Sequence, residues 1–186
     1  MNSSESALKA IYNPAIMGAV LVTYIVSICA LVCCGFHRSV PTNYILLAVF
    51  TVCVSYIVGI TCLRYDPVIV VEAASLTAAV VVAITVYAIT TKTDFTLCGP
   101  ILFILGFLFA TMSLMGFLFG FHQNLFFTVF GVFLFSFYLL VDTQMIIGGK
   151  NRTYKISQDD YILASVALYL DIINLFLYIL RLLGDR

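Results

Sequence analysis

The sequence predicts an all-α fold, a polytopic membrane bundle of six transmembrane helices in a single domain. Hydrophobic residues make up 63% of the 186-residue chain and charged residues only 10%, and the mean hydropathy is +1.13. A water-soluble domain needs a more polar surface than this composition supplies. The apolar residues also fall into runs of about 20, which is the length of a helix that crosses a bilayer.

Short polar connections mark where the first four spans end. The first run stops at residues 35–38 (Gly-Phe-His-Arg), the second at 64–67 (Arg-Tyr-Asp-Pro), the third at 92–94 (Lys-Thr-Asp) and the fourth at 122–124 (His-Gln-Asn). Each connection places polar or helix-breaking residues where the chain would leave the hydrocarbon. The predicted spans are residues 14–34, 41–63, 68–90, 97–119, 125–147 and 158–183.

The last two spans carry the clearest local signals. Gly148 and Gly149 are expected to end the fifth helix, because glycine tolerates the left-handed conformation of a helix cap. Ser157, followed three residues later by Asp160, predicts a capping box and a last helix that begins near residue 158. The connection between the two helices is short and basic, so we expect them to form an antiparallel hairpin.

The charges are balanced and scattered. Nine Lys and Arg residues oppose nine Asp and Glu residues without forming a basic patch, which argues against nucleic-acid binding. The amino terminus lacks the basic region of a cleavable signal peptide, so we expect the first span to be retained. The positive-inside rule favours the cytosol for the larger of two alternating basic groups and places both termini on the lumenal or outer side. The larger group is Arg38, Lys92, Lys150, Arg152 and Lys155, and the smaller is Lys9, Arg64, Arg181 and Arg186.

Two aspartates, Asp142 and Asp171, lie within the last two apolar runs. A carboxylate at the centre of a span costs ~2.5–3.5 kcal/mol, so it tends to face a partner or a water-filled path. Asp142 lies ~9 Å before the end of its helix and Asp171 ~20 Å past the start of its own. These depths become similar if the first turns of the last helix stand among the lipid headgroups. We therefore expect the two carboxyl groups to face each other.

Helical spacing places each aspartate on a polar or aromatic face. Tyr138 lies one turn before Asp142 and is positioned to donate a hydrogen bond to it. Steps of three and four residues define both faces. The face on the fifth helix is Gly131, Phe135, Tyr138 and Asp142, and the face on the last helix is Ala167, Asp171, Asn174, Tyr178 and Arg181.

Two facing carboxyl groups in a low-dielectric site share a proton more readily than both ionise. A protonated pair would tie its helices together, whereas an ionised pair adds repulsion and attracts a cation, so the pair would act as a pH switch. Spacing alone leaves an alternative open, in which each aspartate separately caps or hydrogen-bonds a neighbouring helix. Glu72, in the second turn of the third span, is either a cation-path residue or a carboxylate that stabilises its helix N-terminus or reaches the headgroups.

We expect no cofactor and no stable metal site. His37 and His122 lie in separate connections, and the six cysteines are dispersed, five of them within predicted spans. No spacing among these residues matches a zinc site. The cysteines are expected to be small apolar side chains in a membrane interior.

Five short segments identify a family. They are residues 65–66 (Tyr-Asp), 92–95 (Lys-Thr-Asp-Phe), 142–144 (Asp-Thr-Gln), 156–161 (Ile-Ser-Gln-Asp-Asp-Tyr) and 168–176 (Leu-Tyr-Leu-Asp-Ile-Ile-Asn-Leu-Phe). Together they resemble the transmembrane BAX inhibitor motif family, also called lifeguard proteins, and the last segment is highly specific. The resemblance extends from about Pro14 to the end of the chain and is greatest to the lifeguard branch.

The resemblance implies a bundle wrapped around a central last helix, calcium leak from intracellular stores and suppression of cell death. It also implies that Asp142 and Asp171 form a pH-sensing pair that governs the pore. Calcium would be the permeant ion and would bind only transiently near this pair. Asn174, on the face of Asp171, joins Glu72 as a candidate for the cation path.

The chain departs from the family pattern at its start. Members usually have seven spans after a cytosolic N-terminal region, and the resemblance implies that this sequence starts at what would be the second. Some bacterial relatives hold the closed state with an arginine in that second span, but residues 14–36 contain no basic residue. Gating by such an arginine is therefore not expected, and the chain is expected to fold with a gap in its bundle or to pair with a full-length relative.

Four functions compete on this sequence. The first is a pH-sensitive calcium leak channel of an internal membrane, the endoplasmic reticulum or Golgi, that inhibits apoptosis. The second is a non-conducting regulator that binds channels or apoptosis proteins. An intramembrane aspartyl protease is disfavoured because Asp171 lacks the Gly-x-Gly-Asp setting of such enzymes, so we expect no enzymatic activity. A proton-coupled transporter would use the same buried acids.

Overall fold

The computed structural model describes residues 13–119, 124–149 and 152–185. Three of the basic residues used to predict the orientation in the membrane lie outside these ranges: Lys9, Lys150 and Arg186. The described parts of the chain contain helices and connections and no strand. The six α-helices are α1 (Pro14–Val32), α2 (Thr42–Cys62), α3 (Pro67–Thr90), α4 (Gly99–Phe119), α5 (Leu125–Ile147) and α6 (Tyr161–Gly184).

All six helices are long and apolar enough to cross a membrane, which confirms the predicted all-α, six-span fold. Their outward faces carry large apolar side chains that water would not tolerate at this density. Phe103, Phe126 and Phe133, for example, are 72%, 81% and 71% exposed. These faces are suited to contact with lipid.

The helix ends follow the sequence signals with two refinements. Gly148 and Gly149 have φ values of 63° and 115° and end α5 as predicted. Residues Gln158–Asp160 form a 3₁₀ turn, so the α-helix proper begins at Tyr161. The Ser157 hydroxyl accepts from the amide of Asp159 at 3.4 Å, while the amide of Asp160 donates to the Ser157 carbonyl. Ser157 therefore caps this turn through the Asp159 amide, and the reciprocal bond of the predicted capping box, from Asp160 back to Ser157, stays a prediction. The fourth span begins similarly, with a 3₁₀ turn at Thr96–Cys98 before α4.

The chain divides into two compact units, residues 1–67 and 68–186. In the first unit α1 packs on α2, and the Tyr24 and Phe50 rings stack at 5.5 Å. The connection between these helices is tied to them by polar contacts. The His37 ring bonds the Leu31 carbonyl at 2.8 Å, and the fully buried Asn43 donates to the His37 carbonyl.

In the second unit α5 packs on α6 and α4. Leu102, Phe109, Leu134 and Val141 form a buried cluster between α4 and α5. The Phe109 ring stacks on Phe127 at 4.2 Å and contacts Tyr178 of α6 at 5.4 Å. Aromatic contacts of this kind hold three helices together in a layer where lipid supplies no hydrophobic driving force. A central position of the last helix in the whole bundle stays a prediction.

A glycine permits a close approach of α5 to α6. A Cβ atom added at Gly131 would lie 2.7 Å from the Tyr178 ring, well inside van der Waals contact. Small residues allow such approaches between membrane helices. The Tyr178 ring also stacks on Phe135 at 5.6 Å and contacts Phe109 at 5.4 Å, so it cannot move away from Gly131 without breaking aromatic contacts.

We expect Gly131→Ala to destabilise the protein by about 1–3 kcal/mol, because the added methyl group overpacks the α5–α6 contact. Gly59→Ala is the matched control, since a Cβ at Gly59 meets no atom within 4 Å. That control should be neutral or stabilising by up to about 1 kcal/mol, as alanine favours the helix. Unfolding in detergent micelles measures both. Equal stability of the two variants would contradict the close packing.

Candidate functional site

The predicted faces of α5 and α6 lie against each other. Phe135 and Tyr178 stack with an interplanar angle of 17°, and Gly131 lies beneath the same tyrosine ring. Further along the antiparallel hairpin, the carboxyl groups of Asp142 and Asp171 come within hydrogen-bonding range of each other. The contact joins residues on two different spans.

The pair is shielded from solvent. Asp171 is only 6% exposed, and Asp142 is half-buried. One carboxyl oxygen of Asp171, Oδ2, has no hydrogen-bond partner among the described residues. A buried oxygen without a partner is costly, and two carboxyl groups this close relieve part of that cost by sharing a proton. This contact favours a shared site over the alternative, in which each aspartate separately caps or hydrogen-bonds a neighbouring helix.

Tyr138 does not serve the pair as the sequence suggested. Its hydroxyl donates to the Leu102 carbonyl of α4 at 2.6 Å, so the predicted bond to Asp142 is wrong. Gly106 lies against the phenol oxygen and has no side chain to block its approach to α4. Tyr138 therefore joins α5 to α4, while Asp142 is left to face α6.

The other two candidates are not bonded to the pair. The Asn174 amide donates to the Leu170 carbonyl of its own helix at 2.8 Å. Glu72 is exposed in the second turn of α3. Neither residue makes a hydrogen bond or ion pair to Asp142 or Asp171 among the parts of the chain that the structure describes. A role for either in a cation path stays a prediction.

Gln144 is a buried polar residue whose role the sequence reasoning missed. It lies two residues beyond Asp142 on α5 and is fully buried. Its amide oxygen accepts from the Phe95 backbone at 2.9 Å, and its amide nitrogen donates to the Thr93 carbonyl at 3.2 Å. Two segments noted for their family resemblance, residues 92–95 and 142–144, are thus bonded to each other. A glutamine inside an apolar run was the available signal.

The Asp94 side chain joins the α3–α4 connection to the α5–α6 connection by hydrogen bonds. Its Oδ1 accepts from the Thr96 amide and hydroxyl at 3.0 and 2.6 Å, and its Oδ2 accepts from the Thr153 amide and hydroxyl at 2.8 Å each. The bond from the Thr96 hydroxyl is the largest cause that lowers the pKa of Asp94 to about 2; partial burial opposes it, and the Thr153 bonds reinforce it.

Arg152 binds the carboxyl end of α3. Its guanidinium donates to the carbonyls of Ala88 at 3.1 Å and Thr91 at 2.8 Å, and also to that of Thr93. A cation at this end of a helix satisfies carbonyls that lack partners and interacts well with the helix dipole. We call Asp94, Gln144, Arg152 and Thr153, with the backbone of residues 88–96 that they bind, the interloop clasp. The connections that it joins follow the third and fifth helices, which a six-span topology places on the same side of the membrane.

The described residues contain no group of three or more His, Cys, Asp or Glu side chains that could hold a metal ion. The candidate site is therefore the two-carboxyl contact between α5 and α6, and the interloop clasp lies beyond it at the same end of α5. Carboxylate oxygens are suitable ligands for calcium, but tight sites use six to eight oxygens. Two carboxyl groups suit a transient contact with a cation better than stable binding.

Six apolar helices and a buried carboxyl pair on the last two define a multi-pass membrane protein. The family described as "Inhibitor of apoptosis-promoting Bax1" matches residues 3–186, and the chain belongs to this family. It is 33% identical over 171 residues to Protein lifeguard 3 of Homo sapiens, covering 89% of this chain and 53% of that protein. The mouse protein of the same name is 31% identical over 173 residues, with 89% and 54% covered.

A plant protein is also similar. The BI1-like protein of Arabidopsis thaliana is 42% identical over 158 residues, covering 81% of this chain and 59% of that protein. The chain thus spans between half and three-fifths of the length of these relatives. The family resemblance that the sequence suggested is confirmed.

We expect the clasp to weaken in acid within a defined pH window. Because the folded state lowers the pKa of Asp94 from 3.8 to about 2, the ionised carboxylate contributes stability above about pH 4, and this contribution is lost as the pH falls towards 2. Asp94→Asn should therefore be less stable than the wild type near neutral pH, and the difference should shrink across that window.

Melting temperatures of both proteins in detergent, measured from neutral pH down to about pH 2, test this expectation. Asp159→Asn, an exposed acid in the α5–α6 connection, controls for the loss of one negative charge. A constant difference between wild type and Asp94→Asn across the series would contradict the role assigned to the Asp94 carboxylate.

Proposed function

We propose that the chain forms a pH-sensitive calcium leak pathway in an internal membrane, the endoplasmic reticulum or Golgi, and that it thereby inhibits apoptosis. The observation that carries the proposal is the contact between Asp142 and Asp171. Buried acids within spans commonly mark ion paths or proton relays. The description of the family and the names of the relatives support the link to cell death.

The chemistry of the pair suggests how pH would act. While the two carboxyl groups share a proton, they hold α5 and α6 together. Loss of that proton leaves two negative charges in a poorly solvated site, and their repulsion favours separation of the helices. The same charges attract a divalent cation with a preference for oxygen ligands. Glu72 and Asn174 are proposed to lie along the path, and no enzymatic step is proposed.

Leak through reconstituted liposomes tests the proposal. We expect calcium entry, read by an enclosed dye, to change with pH in the wild type and to lose this dependence in Asp171→Asn, because an amide cannot ionise. Asp185→Asn is the matched control: this residue directly follows the last residue of the same helix, pairs with Arg181 at 3.9 Å and should keep the wild-type profile. Absence of leak in the wild type, or an unchanged profile in Asp171→Asn, would refute the proposal.

A second function is supported by the family description, which names inhibition of a death-promoting protein. The chain would then act as a non-conducting regulator that binds channels, apoptosis proteins or full-length relatives. The double variant Asp142→Asn with Asp171→Asn separates the two functions. Cells protected by a double variant that shows no calcium flux would favour the regulator, whereas loss of protection together with loss of flux would favour the leak pathway.

A further inference from the structure

Gln144 fixes the end of α5 that carries Asp142. Its buried amide bonds two backbone groups of the α3–α4 connection, one as acceptor and one as donor. A slide or rotation of α5 would break both bonds and leave buried polar groups without partners, which is strongly disfavoured. Asp142 lies only two residues away, a rise of about 3 Å along the helix. Its depth and direction therefore depend on the Gln144 contacts.

The segment that leads into α6 is bonded to the same α3–α4 connection. Arg152 and Thr153 bind the end of α3 and the α3–α4 connection, and the Ile156 amide donates to the Met145 carbonyl at the end of α5 at 3.0 Å. Only residues 157–160 separate this anchored segment from the first residue of α6. The connection thus has little slack with which α6 could change its register against α5.

The hairpin is held at two levels with the aspartate pair between them. One level is the aromatic contact of Tyr178 with Phe135 and Phe109. The other is the interloop clasp. A hydrogen bond tolerates only a few tenths of an ångström of displacement before it weakens, so the distance between Asp142 and Asp171 is sensitive to both levels.

We propose that Gln144 and Arg152 are positioning residues for the aspartate pair: by anchoring α5 and the α5–α6 connection to the α3–α4 connection, they set the register in which Asp142 meets Asp171. The effect on calcium leak rests on the function proposed above, whereas the positioning itself does not. The positioning can therefore be measured without any flux.

The first experiment measures proximity. In a full-length chain whose six native cysteines are replaced by alanine, Asp142→Cys and Asp171→Cys are joined by a short bis-methanethiosulfonate reagent. Adding Gln144→Ala or Arg152→Lys should lower the cross-linking yield by about two- to tenfold, the population change expected for one or two hydrogen bonds. Ser165→Ala is the control, because its hydroxyl bonds only the Tyr161 carbonyl within α6. Unchanged yields in both clasp variants would overturn the proposal.

The second experiment uses the leak assay, with the aspartates intact. Among the described residues, the ionisable groups at this place are the two carboxyl groups and the nearby Tyr138 phenol, which α4 holds through Leu102. Looser contact lets the pair release its proton more easily, so Gln144→Ala should move the pH midpoint of leak towards acid by about 0.3–1 unit. An unchanged midpoint would contradict positioning, and a wild-type leak that ignores pH would refute only the proposed function.

A rescue separates positioning from a general failure to fold. Asp94 and Thr153 are in direct hydrogen-bond contact, so Asp94→Cys with Thr153→Cys can replace the clasp by a covalent link. Oxidation of these thiols in the Gln144→Ala protein with its native cysteines replaced should restore the wild-type midpoint, and reduction should abolish it again. If the oxidised protein keeps the shifted midpoint, the clasp does not act through register and the proposal fails.

Discussion

Hydrocarbon offers no water, so a buried polar side chain in this protein is costly unless it finds a partner within the protein itself. Some do so locally: the Thr77 hydroxyl donates to the Ala73 carbonyl one turn back, and Asn174 does the same with Leu170. An ionised carboxyl has no proton to donate to a carbonyl, and Gln144 extends both ends of its amide beyond its own helix. Asp171 and Gln144 therefore need partners on neighbouring elements. Asp171 meets Asp142 of α5, and Gln144 binds the α3–α4 connection. These two contacts determine how α5, α6 and that connection fit together.

The interloop clasp also provides hydrogen-bond partners for the carbonyls at the end of α3. The last carbonyls of a helix have no partners within it, and here Arg152 supplies them from a segment far along the chain. Because one guanidinium reaches three carbonyls, its planar array of donors suits the site better than a lysine would. Asp94 accepts hydrogen bonds from the Thr96 amide and hydroxyl and so caps the turn that begins there. The helix end and the connection next to it stabilise each other.

The sequence predicted the structural features that depend on residues close to one another in the chain. Span positions followed from polar connections, the end of α5 from two glycines, and the facing of Asp142 and Asp171 from helical spacing with a short loop. It misassigned Tyr138, because the partner on α4 is available only once Gly106 brings the two helices together. It missed the clasp for a related reason: bonds from Gln144 and Arg152 to residues 88–95 join segments whose approach no local pattern encodes.

The bonds made by Arg152 also imply an order of assembly. The carbonyls it satisfies lie 59 to 64 residues earlier in the chain, so α3 is synthesised and inserted long before its terminal partner exists. Until the α5–α6 hairpin has entered the bilayer, that end of α3 must rely on water or lipid headgroups for its hydrogen bonds. The second unit is therefore complete only after its final hairpin is inserted. In a nascent chain that stops before residue 152, the last carbonyls of α3 lack this partner at the membrane surface.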